Sequence, residues 1–120
     1  MIDTSGHFIQ IDFGFVFGLA PGKQFSMEKA PWKITEEMVD VMGGRKSEVY
    51  ETYLQLCGQC LSALRKHTDA LCSMMEIMAY ESNYPAFRFN PNAIQDMKAR
   101  LMPSASEADI PDIIANLMNK

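Results

Sequence analysis

The sequence has little basic charge and no long hydrophobic run. Lysine and arginine number 11 against 15 aspartate and glutamate residues, which gives a net charge of -4 and a pI near 5.1. Without excess positive charge the surface cannot hold a phosphate backbone, so nucleic acid is not an expected partner. The longest apolar stretch, residues 13–20, is far shorter than the roughly 18 residues that cross a bilayer. A transmembrane helix is therefore not predicted.

Cysteine is also scarce. Three cysteines, an odd number with no repeated spacing, argue against a disulfide framework and agree with a reducing compartment. The opening Met1-Ile2-Asp3-Thr4 has neither the basic start nor the apolar run of a signal peptide. Together these features favour a cytoplasmic chain.

The sparse cysteines and histidines offer few sites for chemistry. Cys57 and Cys60 have the spacing of a zinc or redox pair, and on a helix His67 would fall near the same face as Cys60. A structural zinc needs a fourth ligand, however, so buried thiols that act as small hydrophobes are the favoured interpretation. Neither His7 nor His67 has a partner at a spacing that indicates a hydrolase triad.

What the chain does have is hydrophobic residues in regular patterns. With 120 residues, 48% of them hydrophobic, it can form one domain with a real core. Ile9, Ile11 and Phe13 alternate with polar residues, which predicts a strand. Residues 1–3 and 7–12 are predicted to pair as a short β-hairpin across a turn at residues 4–6. Apolar residues then recur at helical spacing, and five helices are predicted, beginning after Thr35, Ser47, Thr68 or Asp69, Asn90, and Asp109, with Ser106 as the alternative cap of the last helix. Residues 83–90 are predicted to form a loop, and the ten methionines, spread over several helices, are predicted to fill the helical core.

Asp12 is the most notable polar residue, because it ends the second predicted strand within the apolar run Ile11-Asp12-Phe13-Gly14. A carboxylate at a strand-to-loop junction suits a Mg²⁺ ion beside a phosphate. The alternative is an aspartate that opens a turn.

Three further motifs accompany Asp12 in a fixed order. They are Ala30-Pro31-Trp32-Lys33-Ile34-Thr35, Met38-Val39-Asp40-Val41-Met42-Gly43-Gly44 and Arg65-Lys66-His67-Thr68-Asp69. In this order and at these spacings the chain resembles, from about Met1 to Met118, the C-terminal part of a type III phosphatidylinositol 4-kinase catalytic domain, within the phosphoinositide 3-/4-kinase family. The resemblance implies an α+β, predominantly α fold: a short hairpin, an activation loop and about five helices of a protein-kinase-like C-lobe.

The resemblance also implies roles for residues. Residues 1–13 would form the hairpin that carries the metal aspartate, residues 14–33 the activation loop, and residues 34–120 the helical C-lobe. Asp12 would hold Mg²⁺ against the phosphates of ATP, the substrate that donates the phosphate, and Ile11 would lie under the adenine. The activation loop would face a membrane and recognise the inositol headgroup.

The basic residues of the activation loop are Lys23, Lys29 and Lys33. A headgroup that already carries phosphates demands a dense basic cluster, so scattered lysines favour phosphatidylinositol itself. The alternative is that they are solvated surface lysines. Phe25 and Trp32 could enter the lipid interface, or Trp32 could anchor the loop to the core.

The family's catalytic loop, Asp-Arg-His-x-x-Asn, is expected before Met1, and this sequence contains no Arg-His pair. No catalytic-loop residue is therefore assigned, and the isolated chain is expected to be inactive. The predicted function is that of a fragment of a peripheral membrane phosphatidylinositol 4-kinase. Alternatives are a non-catalytic helical interaction module or kinase relic, whose uncovered apolar surface would favour self-association, a phosphoinositide 3-kinase, and a protein-kinase relative of that superfamily.

Overall fold

The computed structural model describes residues 1–7, 9, 11, 13–21 and 32–118. Within these residues the fold is six α-helices and one short 3₁₀ turn, Glu107–Asp109. The helices are α1 Glu36–Val41, α2 Glu48–Lys66, α3 Thr68–Ala79, α4 Pro85–Phe89, α5 Ala93–Leu101 and α6 Ile110–Met118. The prediction of a predominantly helical fold is confirmed. No helix in the described ranges is both long and apolar enough to cross a membrane.

The predicted hairpin is present as antiparallel backbone pairing across the turn at residues 4–6. The amide of Asp3 donates to the carbonyl of His7 at 3.0 Å, and the amide of Ile9 donates to the carbonyl of Met1 at 2.8 Å. Gly6 has a φ of +86°, which a glycine adopts without steric cost. Only an isolated bridge at Ile2 forms among the described residues, rather than two strands. Residues 8, 10 and 12 of the predicted second strand lie outside the described residues.

Helices α1 and α2 begin where the sequence predicts. The hydroxyl of Thr35 accepts from the amide of Met38 at 3.3 Å, and that of Ser47 accepts from the amide of Tyr50 at 3.0 Å. Each hydroxyl satisfies an amide that has no partner inside its own helix. Ser47 also donates to the carbonyl of Met42 at 2.5 Å, so the same side chain ties the end of α1 to the start of α2.

Two later boundaries differ from their predictions. Helix α3 is capped by His67 rather than by Thr68 or Asp69, because the Thr68 hydroxyl donates backwards to the carbonyl of Arg65 at 2.8 Å. Helix α5 begins after Asn92, because the side chain of Asn90 accepts from the amide of Asn92 at 3.0 Å and forms a turn before the helix.

Helix α4 was not predicted at all, since residues 83–90 were interpreted as a loop. Pro85 occupies its first turn, where the missing amide is not needed and the restricted φ favours the helix.

The core is built where α6 packs against α2. Ile110, Ile114 and Met118 are buried on one face of α6, and half-buried side chains of α2, among them Leu54 and Leu61, close around them. A Cβ atom at Gly58 would lie 3.3 Å from the Cγ2 of Ile110, so the glycine allows the two helices to approach closely.

A second contact joins α3 to α5. Cys72 and Met75 are buried on α3, and Ala93 and Leu101 are buried on α5. At the edge of this contact, the ammonium group of Lys98 on α5 lies 3.2 Å from a carboxylate oxygen of Asp69 on α3. The two helix pairs form one body, because α2 also contacts α5.

Several apolar side chains assigned to the core by periodicity are exposed instead. On α1 only Val39 is buried, whereas Val41 is 90% exposed, because a six-residue helix presents one narrow face to the core. On α3 a second stripe of Met74, Ile77 and Met78 lies on the surface. The interpretation of the methionines as core filler is therefore wrong for Met74 and Met78.

Candidate functional site

The predicted site residues lie just before and within the 14–33 segment, and the structure describes two of them. Ile11 is 56% exposed, so its side chain is available to a ligand. Lys33 is exposed, just before α1. Asp12, Lys23 and Lys29 lie outside the described residues, as does Phe25.

The segment that follows Asp12 folds back in a tight turn at residues 16–19. The amide of Leu19 donates to the carbonyl of Val16 at 3.0 Å, and both central residues have positive φ, +55° at Phe17 and +81° at Gly18. Gly18 adopts this conformation readily, whereas a phenylalanine does so only when other contacts hold it there.

Those contacts come from α4 and the residue before it. The Phe17 ring stacks on the Phe87 ring, with centroids 5.6 Å apart and an interplanar angle of 21°. The hydroxyl of Tyr84 donates to the carbonyl of Phe13, the residue next to Asp12. The start of the 14–33 segment is thus fixed on the helical body at two points.

The far end of the segment is fixed by Trp32. Its indole N–H donates to the hydroxyl of Tyr53 on α2 at 3.3 Å. Burial and neighbouring groups raise the pKa of Tyr53, burial having the largest effect, so this hydroxyl stays protonated and accepts the bond over the physiological range. Of the two alternatives left open for Trp32, the structure favours the anchor over the lipid contact.

Both ends of the segment border one cavity of about 340 Å³. Phe17 and Gly18 line it from one end of the segment and Trp32 from the other, while α2, α5 and α6 supply apolar side chains such as Leu61, Leu101 and Leu117. The described ends of the segment therefore border the same apolar hollow in the helical body.

Within the described ranges the cysteines belong to no group of three or more possible metal ligands. All three are thiols: Cys72 is buried, Cys57 is half-buried and Cys60 is exposed. The expectation of buried thiols is wrong for Cys60. Burial raises the pKa of Cys57, which disfavours the reactive thiolate.

The Mg²⁺ site expected at Asp12 depends on a single protein carboxylate. Among the described residues no three His, Cys, Asp or Glu side chains lie close enough together to hold a metal ion. A single carboxylate suits Mg²⁺ when phosphate oxygens and water supply the remaining ligands, which is how the ion binds with nucleotides. Asp12 itself lies outside the described residues, so its role as a Mg²⁺ ligand stays a prediction.

Sequence reasoning missed the anchors Tyr84 and Phe87. They were assigned to a loop, although Tyr84-Pro85-Ala86-Phe87 carries a recognisable signal. A proline at the first helical position followed two residues later by an aromatic residue predicts a short helix with one aromatic face. The partner of that face, Phe17, is 70 residues away in the sequence and could not be predicted from local spacing.

A family model described as phosphatidylinositol 3- and 4-kinase matches residues 1–88. Phosphatidylinositol 4-kinase PIK1alpha of Candida albicans is 35% identical over 118 residues, which are 98% of this chain and 12% of that protein. A phosphatidylinositol 4-kinase of Dictyostelium discoideum is 36% identical over 99% of this chain and 10% of its own length.

Phosphatidylinositol 4-kinase beta of Rattus norvegicus is 34% identical over 99% of this chain and 14% of that protein. The chain thus spans between 10% and 14% of the length of these relatives. Since the family model covers well over half of the 120 residues, the chain belongs to the phosphatidylinositol 3- and 4-kinase family.

Proposed function

We propose that this chain is the C-terminal portion of a phosphatidylinositol 4-kinase catalytic domain. The complete enzyme transfers the γ-phosphoryl group of ATP to the 4-hydroxyl of phosphatidylinositol. The observation that carries the proposal is the family match over residues 1–88, which includes Ile11-Asp12-Phe13-Gly14 and the whole 14–33 segment. The curated relatives that cover almost the whole chain are named phosphatidylinositol 4-kinases.

In this proposal Asp12 is the metal ligand and Ile11 contacts the adenine. Bound Mg²⁺ neutralises the charge that develops on the ATP phosphates during transfer. The carboxylate of Asp12 would hold the Mg²⁺ ion beside the phosphates. The exposed Ile11 offers an apolar surface to the adenine base. Residues 1–13 supply these two side chains, while the helices from residue 34 onward support them.

The 14–33 segment, anchored at both ends, is the activation loop that selects the lipid. Lys23, Lys29 and Lys33 contact the headgroup of phosphatidylinositol at a membrane surface, to which the cytoplasmic enzyme binds peripherally. Three separate ammonium groups suit the single phosphate of this lipid. A panel of phosphoinositides assayed with the complete enzyme separates this assignment from a 3-kinase, because the product then carries phosphate at the 3-position.

The direct test replaces Asp12 by Asn in the complete enzyme that carries this chain. The amide keeps the shape but loses the charge that holds Mg²⁺, so turnover should fall by at least about 100-fold, in line with the loss of one charged stabilising group. Thermal unfolding should change little. Asp40→Asn is the matched control, since Asp40 is an exposed residue of α1 and should leave the turnover unchanged. Near-normal lipid phosphorylation by Asp12→Asn would refute the proposal.

By itself the 120-residue chain is proposed to be inactive, because the catalytic base, the phosphate-binding lysine and the nucleotide cover of a kinase are not among its residues.

A second candidate function is that of a helical interaction module. The observation that favours it is the exposed stripe of Met74, Ile77 and Met78 on α3. Such a surface favours association with another apolar surface, including a second copy of the chain.

A further inference from the structure

The backbone immediately after Asp12 is held by a residue far away in the sequence. The hydroxyl of Tyr84 donates to the carbonyl oxygen of Phe13, which is 71 residues away. This bond restricts rotation of the peptide plane between Phe13 and Gly14. Asp12 directly precedes Phe13 in the chain, so the bond acts next to the proposed metal ligand.

A second contact lies four residues further along. Phe17 has a φ of +55°, an unfavourable conformation for a bulky side chain, and its ring stacks on Phe87 at 5.6 Å. The stacking contact is available only while the turn at residues 16–19 keeps this shape. Phe87 therefore stabilises one conformation of the segment against others in which Phe17 would relax to negative φ.

The two anchors belong to one rigid platform. Tyr84 and Phe87 contact each other, with ring centroids 6.0 Å apart, and Ala86 between them is completely buried. The amides of Phe87 and Arg88 both donate to the carbonyl of Tyr84 at 3.1 Å, and the amide of Tyr84 donates to the hydroxyl of Ser82. A platform with buried and hydrogen-bonded backbone can hold a flexible segment in place.

We infer that Tyr84 and Phe87 are positioning residues, which hold residues 13–19 on α4 and thereby position the segment that directly follows the proposed metal ligand Asp12. The inference rests on the proposed function for the identity of Asp12 as a ligand. Its physical basis is that a reacting group displaced by about 1 Å can lose a factor of about 100 in rate. In this inference each residue acts only through the segment that it holds.

The test uses Tyr84→Phe in the complete enzyme, because this change removes only the hydroxyl. We expect faster hydrogen exchange at the amides of residues 13–19, a kcat lower by about fivefold, as for the loss of one hydrogen bond, and a KM for ATP within about twofold of the original. Tyr80→Phe is the matched control. Tyr80 is 78% exposed at the end of α3, and its hydroxyl should matter to neither measurement.

Replacement of the aromatic ring provides a second variant. Phe87→Leu should also speed exchange at residues 13–19 and lower kcat, whereas Phe87→Tyr, which keeps the ring, should restore both. If Tyr84→Phe leaves exchange unchanged, or speeds exchange with no effect on kcat, the positioning role is overturned. Full activity of Asp12→Asn would overturn the proposed function instead, and in that case the exchange data would still report whether the anchor exists.

Discussion

At the scale of single residues, Arg65 shows how one side chain can organise a loop. Its side chain is only 7% exposed although it is charged. Its Nε donates to the carbonyl of Met102 at 3.1 Å, and Nη2 donates to the carbonyl of Ala105. The remaining nitrogen, Nη1, lies 3.8 Å from the carboxylate of Glu107 and has no hydrogen bond to the described residues. One guanidinium group therefore fixes the chain between α5 and α6.

Replacement of Arg65 by Met should destabilise the protein. The substitution keeps an apolar stem of similar length but removes two charge-assisted hydrogen bonds, so the free energy of unfolding should fall by about 2 kcal/mol. Urea denaturation measures the loss. Lys66→Met, an exposed neighbour, should stay within about 0.5 kcal/mol of the original. Equal losses in both variants would show that Arg65 is not a specific anchor.

At the scale of elements, the start of α6 shows how a proline is accommodated. The carboxylate of Asp109 accepts from the backbone amide of Ser106 at 3.0 Å and from its hydroxyl at 2.8 Å. These bonds close the 3₁₀ turn Glu107–Asp109, after which α6 begins at Ile110. Pro111 then falls in the first turn of α6, where its missing amide costs no hydrogen bond. Ser106 and Asp109, considered as alternative caps, act together.

This arrangement predicts an acid-dependent contribution to stability. The hydrogen bonds from Ser106 hold the pKa of Asp109 below its usual value. A group whose pKa is lower in the folded state stabilises it fully above the unfolded-state pKa, near 4, and this contribution is lost as the pH falls through the folded-state pKa. The difference in Tm between the original protein and Asp109→Asn should therefore be largest above about pH 5 and should shrink below pH 4.

Differential scanning calorimetry between pH 3 and pH 6 measures this difference. Asp112→Asn, an exposed residue in the first turn of α6, makes the same charge change without these hydrogen bonds. Its effect on Tm should depend less on pH. A difference for Asp109→Asn that is constant across the range would contradict the assignment.

At the scale of the whole molecule, the chain buries less of its apolar surface than a self-contained domain would. Its radius of gyration is 16.1 Å, against about 14 Å for a compact domain of this length. Large apolar side chains at the hairpin and along α3 are exposed, among them Phe13, Phe15, Ile77 and Met78. Exposed apolar surface of this extent is typical of a surface that is covered by another part or another copy.

The 120-residue chain should therefore associate with itself in solution. Ile77 is 77% exposed at the centre of the α3 stripe, so Ile77→Lys should weaken association by placing a charge in the apolar contact. Sedimentation velocity over a range of concentrations measures the shift towards monomer. Gln95→Lys, an exposed polar position on α5, is the control for added charge away from the stripe. A chain that is monomeric at every concentration would contradict this prediction.

The sequence by itself determined the family, the helical body and the starts of α1 and α2. These depend on local order: motifs at fixed spacing, and hydroxyl caps that act within three residues of their own position. The sequence also placed Asp12 at a strand end, which remains a prediction because Asp12 lies outside the described residues.

Only the tertiary structure decided which apolar faces are buried, since Met75 and Met78 have the same character but only Met75 is buried. Likewise, the contacts of Tyr84 with Phe13 and of Trp32 with Tyr53 join residues 71 and 21 positions apart. Such contacts depend on how the helices pack. Packing brings together residues at irregular distances in the sequence, so no periodic pattern predicts them.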